Sequence, residues 1–307
     1  MKIFSQTPRQ YGEFKVTEYQ LATENSGTIA VTHLPTLSDI PTKGSIVMLP
    51  GMFSNRRFWL SDKGIGIAAY FSQHGYACWM IDRRGLGAAS ESSSENQTLY
   101  NTIEYDLPAV QALLNQQGVA RAFYMGHSFG GVLNGLSLAQ GHLNHSAVAG
   151  LVNFSSQLTV GKTLLNKPFS LLLYAITGLL GHFPARRLGM GPENESKHAM
   201  RDCCRLVESA KGPSKAIFWQ DFNRIQCPIL AFGSEGDRVD PSAGCQAFIA
   251  PMQSTNKTFV HLGKHNGHRR DYDHVGMMIS KDAQQEVWPM VKNWLDGQIA
   301  GFQRSQT

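Results

Sequence analysis

No block of like charge runs through this sequence. Charged residues are only 17% of the 307, Lys and Arg exceed Asp and Glu by 28 to 23, and the densest basic groups are the pairs Arg56-Arg57, Arg83-Arg84, Arg186-Arg187 and Arg269-Arg270. Scattered pairs on a net charge of +5 describe solvated surface and local ion pairs, so neither a nucleic-acid stripe nor an acidic partner is expected. Cysteine is scarce and unpatterned. Cys78, Cys203, Cys204, Cys227 and Cys245 form an odd set without C-x-x-C or metal-ligand spacing, and they read as reduced core residues. Long apolar runs are missing as well: the one candidate, PFSLLLYAITGLLGHF (Pro168 to Phe183), is short for a spanning helix and is interrupted by Gly178 and Gly181, so stable membrane insertion is not expected. The N-terminal MKIFSQTPRQYGEF lacks the apolar stretch and small-residue cleavage site of a secretory signal, and a cytoplasmic location is the expectation. There is no internal repeat and no low-complexity tract.

What is present is a globular composition, 42% hydrophobic, on a chain long enough for one large α/β domain or two small ones. Short apolar, β-branched or aromatic runs alternate with helix-period segments, which argues for βαβ units around a mostly parallel sheet. EFKVTEYQLA and GTIAVTHL, joined by TENSG, read as a starting hairpin. GSIVMLPG, YACWMID, RAFYMGHS, AVAGLVNFS, CPILAFG and KTFVHLG read as the following strands. Between them lie the helix candidates GIGIAAYFSQHG, NTIEYDLPAVQALLNQQG, GGVLNGLSLAQG, PSAGCQAFIAPM and the terminal DAQQEVWPMVKNWLDGQIAG. Ile103, Leu107, Val110 and Leu114 keep helical spacing, Pro108 marks the first turn of the main helix and Gly118 its end.

From about Ser155 to Phe222 the alternation is lost, and a length of that kind inside a compact domain is usually functional. The expected organisation is therefore a core domain made of residues 1–154 and 223–307, with 155–222 inserted as a helical cap.

Gly126-His127-Ser128-Phe129-Gly130 matches G-x-S-x-G with a strand before it and a helix after it. The serine of such a turn has strained backbone angles, and side chains at the two flanking glycines would collide with the neighbouring strand and helix. A serine in a Gly-rich loop can also be no more than a helix cap, and its hydroxyl is a weak nucleophile without a base.

With this motif in place the chain resembles the α/β-hydrolase family over nearly all its length outside the 155–222 segment. The resemblance implies an α/β-hydrolase fold: a mostly parallel, twisted sheet of about eight strands flanked by helices. It also implies a triad in the order Ser, acid, His, each after a strand end. After CPILAF comes GSEGDRVDP, where Asp237 matches the family's acid best and Glu235 and Asp240 compete with it; any of these can also be a turn or cap carboxylate. HLGKHNGHRRDYDHVGMM offers His261, His265, His268 and His274, of which His274 fits the family pattern. Those imidazoles with Asp271 and Asp273 could instead ligate zinc or iron, but their spacing fits no recognised metal motif.

The resemblance further implies an oxyanion hole formed by the backbone N–H groups of Phe129 and Met52. Here LPGMFS departs from the family, with Pro50-Gly51 where His-Gly is usual, which removes a histidine that often braces the loop. DRRGLGAAS resembles the family's D-x-R-G-x-G-x-S loop but carries one extra residue before Ser90, and Asp82 and Arg84 are assigned to holding that turn. HFPARRLGMG (His182 to Gly191) resembles a stretch in bacterial members of unassigned activity and supplies no substrate.

The function these readings imply is a cofactor-free, metal-free serine hydrolase (catalytic Ser128, Asp237, His274) acting on small-molecule acyl substrates, esters of small to medium apolar acids, through an acyl-enzyme. Phe169, Leu171, Leu172, Leu173, Tyr174, Ile176, Leu179, Leu180 and Phe183 are expected to divide between packing the cap onto the core, at least half of them, and lining an acyl pocket. A thioesterase or acyltransferase would use the same residues, and a binding module that keeps the serine turn without turnover stands as the alternative from another class. Ser128 speaks against dehalogenase and epoxide hydrolase chemistry, which need a carboxylate there. The oligomeric state is not legible.

Overall fold

The computed structural model describes residues 1–37, 39–89 and 93–304. Ser90, on which the extra-residue comparison rests, lies outside the described residues. The chain opens on β1 (Lys2–Tyr11), β2 (Phe14–Ala22) and β3 (Thr28–Leu34), then β4 (Gly44–Leu49), α1 (Ile67–Gln73) and β5 (Tyr76–Asp82). Next, α2 (Leu99–Asn101) runs through a π-turn (Thr102–Asp106) into α3 (Leu107–Gln116), followed by β6 (Ala122–His127), α4 (Phe129–Ala139) and β7 (Val148–Phe154). The 155–222 segment holds α5 (Phe169–Leu180), the ribbon β8 (His182–Phe183) and β9 (Glu195–Ser196), α6 (Lys197–Lys211) and α7 (Lys215–Gln220). The chain closes with β10 (Ile229–Ser234), α8 (Ser242–Ile249), β11 (Lys257–Leu262), α9 (Gly276–Ile279) and α10 (Lys281–Arg304).

The strands form a nine-stranded sheet in the order β1-β2-β3-β5-β4-β6-β7-β10-β11. β1, β2 and β3 are antiparallel to their neighbours, and from β5 to β11 all pairings are parallel. β5, β6, β7 and β10 are buried at every position, as continuous apolar runs require when helices cover both faces. Along β6 the side chains alternate: Ala122 and Tyr124 join the core under α3, α4 and α8, whereas Phe123 and Met125 join the core under α1 and α10.

The sheet has one strand more than the expected eight or so. β1 escapes a reading by hydrophobic alternation because none of its residues is buried and Pro8 interrupts it, as an edge strand permits. The π-turn before α3 was likewise not foreseen; it places Asp106 on the buried side, where its carboxylate pairs with Arg84, both side chains 1% exposed. Arg84 also reaches Thr23 and Asn25 in the β2–β3 turn, at 2.8 and 2.7 Å. Asp82 accepts from the backbone N–H groups of Arg56 and Ala88, at 2.6 and 3.0 Å, so both residues do hold the turn after β5.

The apolar stripe of 155–222 departs from expectation. Of its nine members, six (Phe169, Leu171, Leu172, Ile176, Leu179 and Leu180) are exposed, and Leu173 is the one that is buried. Leu173 sits with Met200 and Cys204 against Met52, Phe53, Tyr174 and Phe183, so α5 contributes one narrow face to packing. All five cysteines are free and four are buried, the exception being half-buried Cys227. Among the described residues no helix is long and apolar enough to cross a membrane.

Candidate active site

The parallel strands end along one edge of the sheet, and the loops that leave that edge bring the candidate residues together. Ser128 follows β6 directly, with φ 53° and ψ −128°, a strained combination for a residue with a side chain. The flanking glycines have the steric reason the motif implies. A Cβ on Gly126 would lie 2.2 Å from the Gly131 nitrogen in α4, and one on Gly130 would lie 2.1 Å from the Leu49 carbonyl oxygen at the end of β4. Strand, turn and helix can meet this closely only without side chains there.

Asp237, three residues past β10, is 3% exposed. Its Oδ2 accepts from His274 Nδ1 at 2.9 Å, and its Oδ1 accepts from the backbone N–H groups of Val239 and Asp240 at 2.9 and 2.8 Å. Burial pushes this carboxyl's pKa up, but the hydrogen bond and charge of His274, the Asp240 N–H and the Ser155 hydroxyl together hold it below the usual carboxylate range. An ionised Asp237 fixes the His274 tautomer: Nδ1 carries the proton and Nε2 presents a lone pair.

Of the other histidines of that loop, His265 is exposed on the surface, and His261 and His268 lie against other carboxylates. His261 lies 3.3 Å from Glu235, which removes Glu235 from the site, and His268 bonds Glu286 at 3.2 Å. Exposed Asp271 accepts from the Lys264 N–H, and Asp273 caps α9 through the Gly276 N–H. Among the described residues no group of three His, Cys, Asp or Glu side chains is placed to hold a metal ion.

His127 was not singled out by sequence, yet it positions His274. Its Nε2–H donates to the His274 carbonyl oxygen at 2.8 Å, and the two rings lie 4.6 Å apart. Complete burial, helped by the nearby His274, lowers the His127 pKa to about 3, so the ring stays neutral. His33, stacked on Trp79 at 3.8 Å, is likewise pushed down to about 4 by burial. Both take up protons more readily in the unfolded chain, so the stability they confer is complete above pH 6.5 and is lost as the pH falls toward 4. Urea unfolding at pH 7.5 and pH 5.0 is expected to show each histidine costing about 2 kcal/mol at the lower pH, and His33→Gln should remove its share of the difference.

Asp240, a competitor for the acid role, lies in the site but on a different partner. In this conformation the Ser128 hydroxyl donates to Asp240 Oδ2 at 3.2 Å, while Asp240 Oδ1 accepts from Gln157 at 2.6 Å and pairs with the Lys162 ammonium. Lys162 also lies 5.1 Å from the centre of the Phe129 ring. Ser128, Gln157 and Asp240 are all buried, so the start of the 155–222 segment is clamped beside Ser128. Gln157 and Lys162 carry no sequence signal, because their partner is some 80 residues away in the chain.

The loop after β4 runs against the serine: a Cβ on Gly51 would come within 3.0 Å of Ser128 Cβ. Among the described residues neither the Met52 nor the Phe129 N–H donates to a protein acceptor, which leaves both available to a ligand oxygen. The brace that the missing histidine would supply comes from β9 and the residues before it. Glu195 accepts from the Phe53 N–H at 2.9 Å and pairs with buried Arg83, and Glu193 accepts from Asn55 and from the Gly87 N–H.

Residues 46–275 match the model of a family described as the alpha/beta hydrolase family. Solved structures of similar shape include a soluble variant of monoglyceride lipase from Saccharomyces cerevisiae in complex with a substrate analog (16% identity, 97% of this chain and 96% of that one, TM-score 0.61). An esterase from Exiguobacterium antarcticum is similar at 12% identity (90% and 98% covered, TM-score 0.63). So is a crystal structure described as a putative non-heme bromoperoxidase, BpoC, from Mycobacterium tuberculosis H37Rv, at 16% identity (88% and 96% covered, TM-score 0.60). At these identities the likeness is one of fold. No curated protein matched the chain.

Proposed function

The chain belongs to the alpha/beta hydrolase family, and we propose from that premise that it hydrolyses carboxylic esters of small to medium apolar acyl groups through an acyl-enzyme on Ser128. The observation that carries the proposal is the 2.9 Å bond from His274 to buried, ionised Asp237, made beside a strained serine whose neighbour His127 holds His274 in place.

In the proposed reaction the Ser128 hydroxyl turns from Asp240 to His274 Nε2, a side-chain rotation of the kind that takes picoseconds to nanoseconds at exposed positions and longer in a packed site. His274 takes the proton as Ser128 Oγ attacks the ester carbonyl. The oxyanion forms against the Met52 and Phe129 N–H groups, and Asp237 stabilises the imidazolium. His274 then gives the proton to the departing alkoxide. Water, deprotonated by the same histidine, releases the acid and restores Ser128. No cofactor enters any step.

The 155–222 segment acts here as a cap. Its contribution to an acyl site comes from Leu173 and Phe183, which join Met52 and Phe53 beside the oxyanion loop, the Phe53 and Phe183 ring centres lying 5.3 Å apart. The exposed members of the α5 stripe have no part in that pocket.

Incubation with a fluorophosphonate followed by intact-mass measurement tests the reading. One covalent adduct is expected on the wild type and none on Ser128→Ala. A folded wild type that gains no adduct would instead favour the non-catalytic binding module.

A further inference from the structure

From Leu107 to Pro192 the sequence contains no Asp or Glu, although the chain as a whole carries 23 of them. Within that span α5 carries no charged residue. Leu173 and Thr177 face inward, and Phe169, Leu171, Leu172, Ile176, Leu179 and Leu180 face out, with Leu172 61% and Leu179 87% exposed. A single exposed leucine is ordinary, but six large apolar side chains exposed along one uncharged helix are not, and a contiguous patch of this kind marks a binding surface. After α5 only Gly181 intervenes before the β8–β9 ribbon, whose turn exposes Leu188 and Met190 together with Arg186 and Arg187. Among the described residues neither of these arginines has a carboxylate partner.

We propose that the outer face of α5 and the Arg186–Arg187 turn dock the protein onto an anionic lipid surface, with the helix lying in the interface and not crossing it. Large apolar side chains beside unpaired arginines, with no acidic residue among them, are the composition that sinks into a headgroup layer and gains from its negative charge. A second copy of this chain is the poorer occupant. A two-fold contact would set the same arginine-bearing surface against itself and bring like charges together.

The docking does not depend on the proposed ester chemistry, so the Ser128→Ala protein serves for the binding measurement as well as the wild type. Sedimentation with phosphatidylglycerol/phosphatidylcholine vesicles is expected to pull down both proteins. Pure phosphatidylcholine vesicles should retain at least tenfold less, and raising the salt should release the protein from the anionic ones. Leu172→Ser/Leu179→Ser is expected to weaken binding at least tenfold with its circular dichroism and melting unchanged. Arg186→Ala/Arg187→Ala should weaken binding to anionic vesicles while leaving the apolar face intact. The proposal is overturned if the wild type stays in the supernatant with both vesicle types. It is also overturned if light scattering shows a dimer that Leu172→Ser/Leu179→Ser dissociates while vesicles are ignored, which would assign the face to a second copy.

Discussion

Ser128→Ala and His274→Ala are each expected to lower the turnover of a p-nitrophenyl ester by about 10⁴–10⁶-fold, and the double variant is expected to lose no more than the worse single one. The reason lies in the geometry. In the proposed mechanism serine and imidazole act as one unit, so removing either would leave the other with nothing to do, and the free-energy losses would not add. Asp237→Asn should cost about 10⁴-fold, because an amide oxygen or nitrogen in place of Oδ2 no longer dictates that the His274 proton sits on Nδ1. A residue that merely packs would show none of this: circular dichroism and melting of the three single variants should stay near the wild type. If instead Asp240→Asn abolished turnover while Asp237→Asn kept it, the hydrogen bond between Ser128 and Asp240 would have to be the productive one, and the assignment of the acid would be reversed.

Arg84→Met is expected to destabilise the fold by roughly 3–5 kcal/mol without touching the chemistry of the site. Asp106 and Arg84 are each about 1% exposed and bonded to one another, so deleting the guanidinium strands a carboxylate out of reach of water. It also strips the β2–β3 turn of two hydrogen bonds, to Thr23 and Asn25. Adding Asp106→Leu should restore much of the loss, since a buried ion pair replaced by packed apolar side chains is often neutral. Chemical unfolding of the two variants measures both numbers. Failure of the second change to recover stability would place the cost in the β2–β3 turn and the π-turn instead of in the unpaired charge.

The exposed α5 face bears on how such a site could meet its substrate. The inner side of α5 packs through Leu173 on Met52 and Phe53, the loop that carries one proposed oxyanion donor, while its outer side is free. If the outer face rests on lipid, apolar esters would be presented on the side of the molecule where α5 packs against the loop of Met52 and Phe53.

Much of this was legible in the chain itself. The buried parallel strands announce themselves as unbroken apolar runs, because a strand covered on both faces has no polar positions to interrupt it. The serine turn was equally legible, since only glycine fits where Gly126 and Gly130 meet α4 and β4. The expected order of serine, acid and histidine came from the family resemblance, which set where after each strand end to look. β1 was not legible, because an edge strand buries nothing and therefore carries no pattern. Nor could the sequence choose among Glu235, Asp237 and Asp240, which lie within six residues on one turn: the choice depends on the direction in which each carboxylate leaves the loop, and packing decides that by sending one to His261, one to His274 and one to Ser128 with Lys162. The apolar stripe shows the same division from the other side. Its hydrophobicity was plain in the sequence, but whether those leucines face core or solvent is a matter of which side of α5 meets Met52, Phe53 and Met200, and that side bears Ser170, Leu173 and Thr177, a choice that hydrophobicity alone does not make.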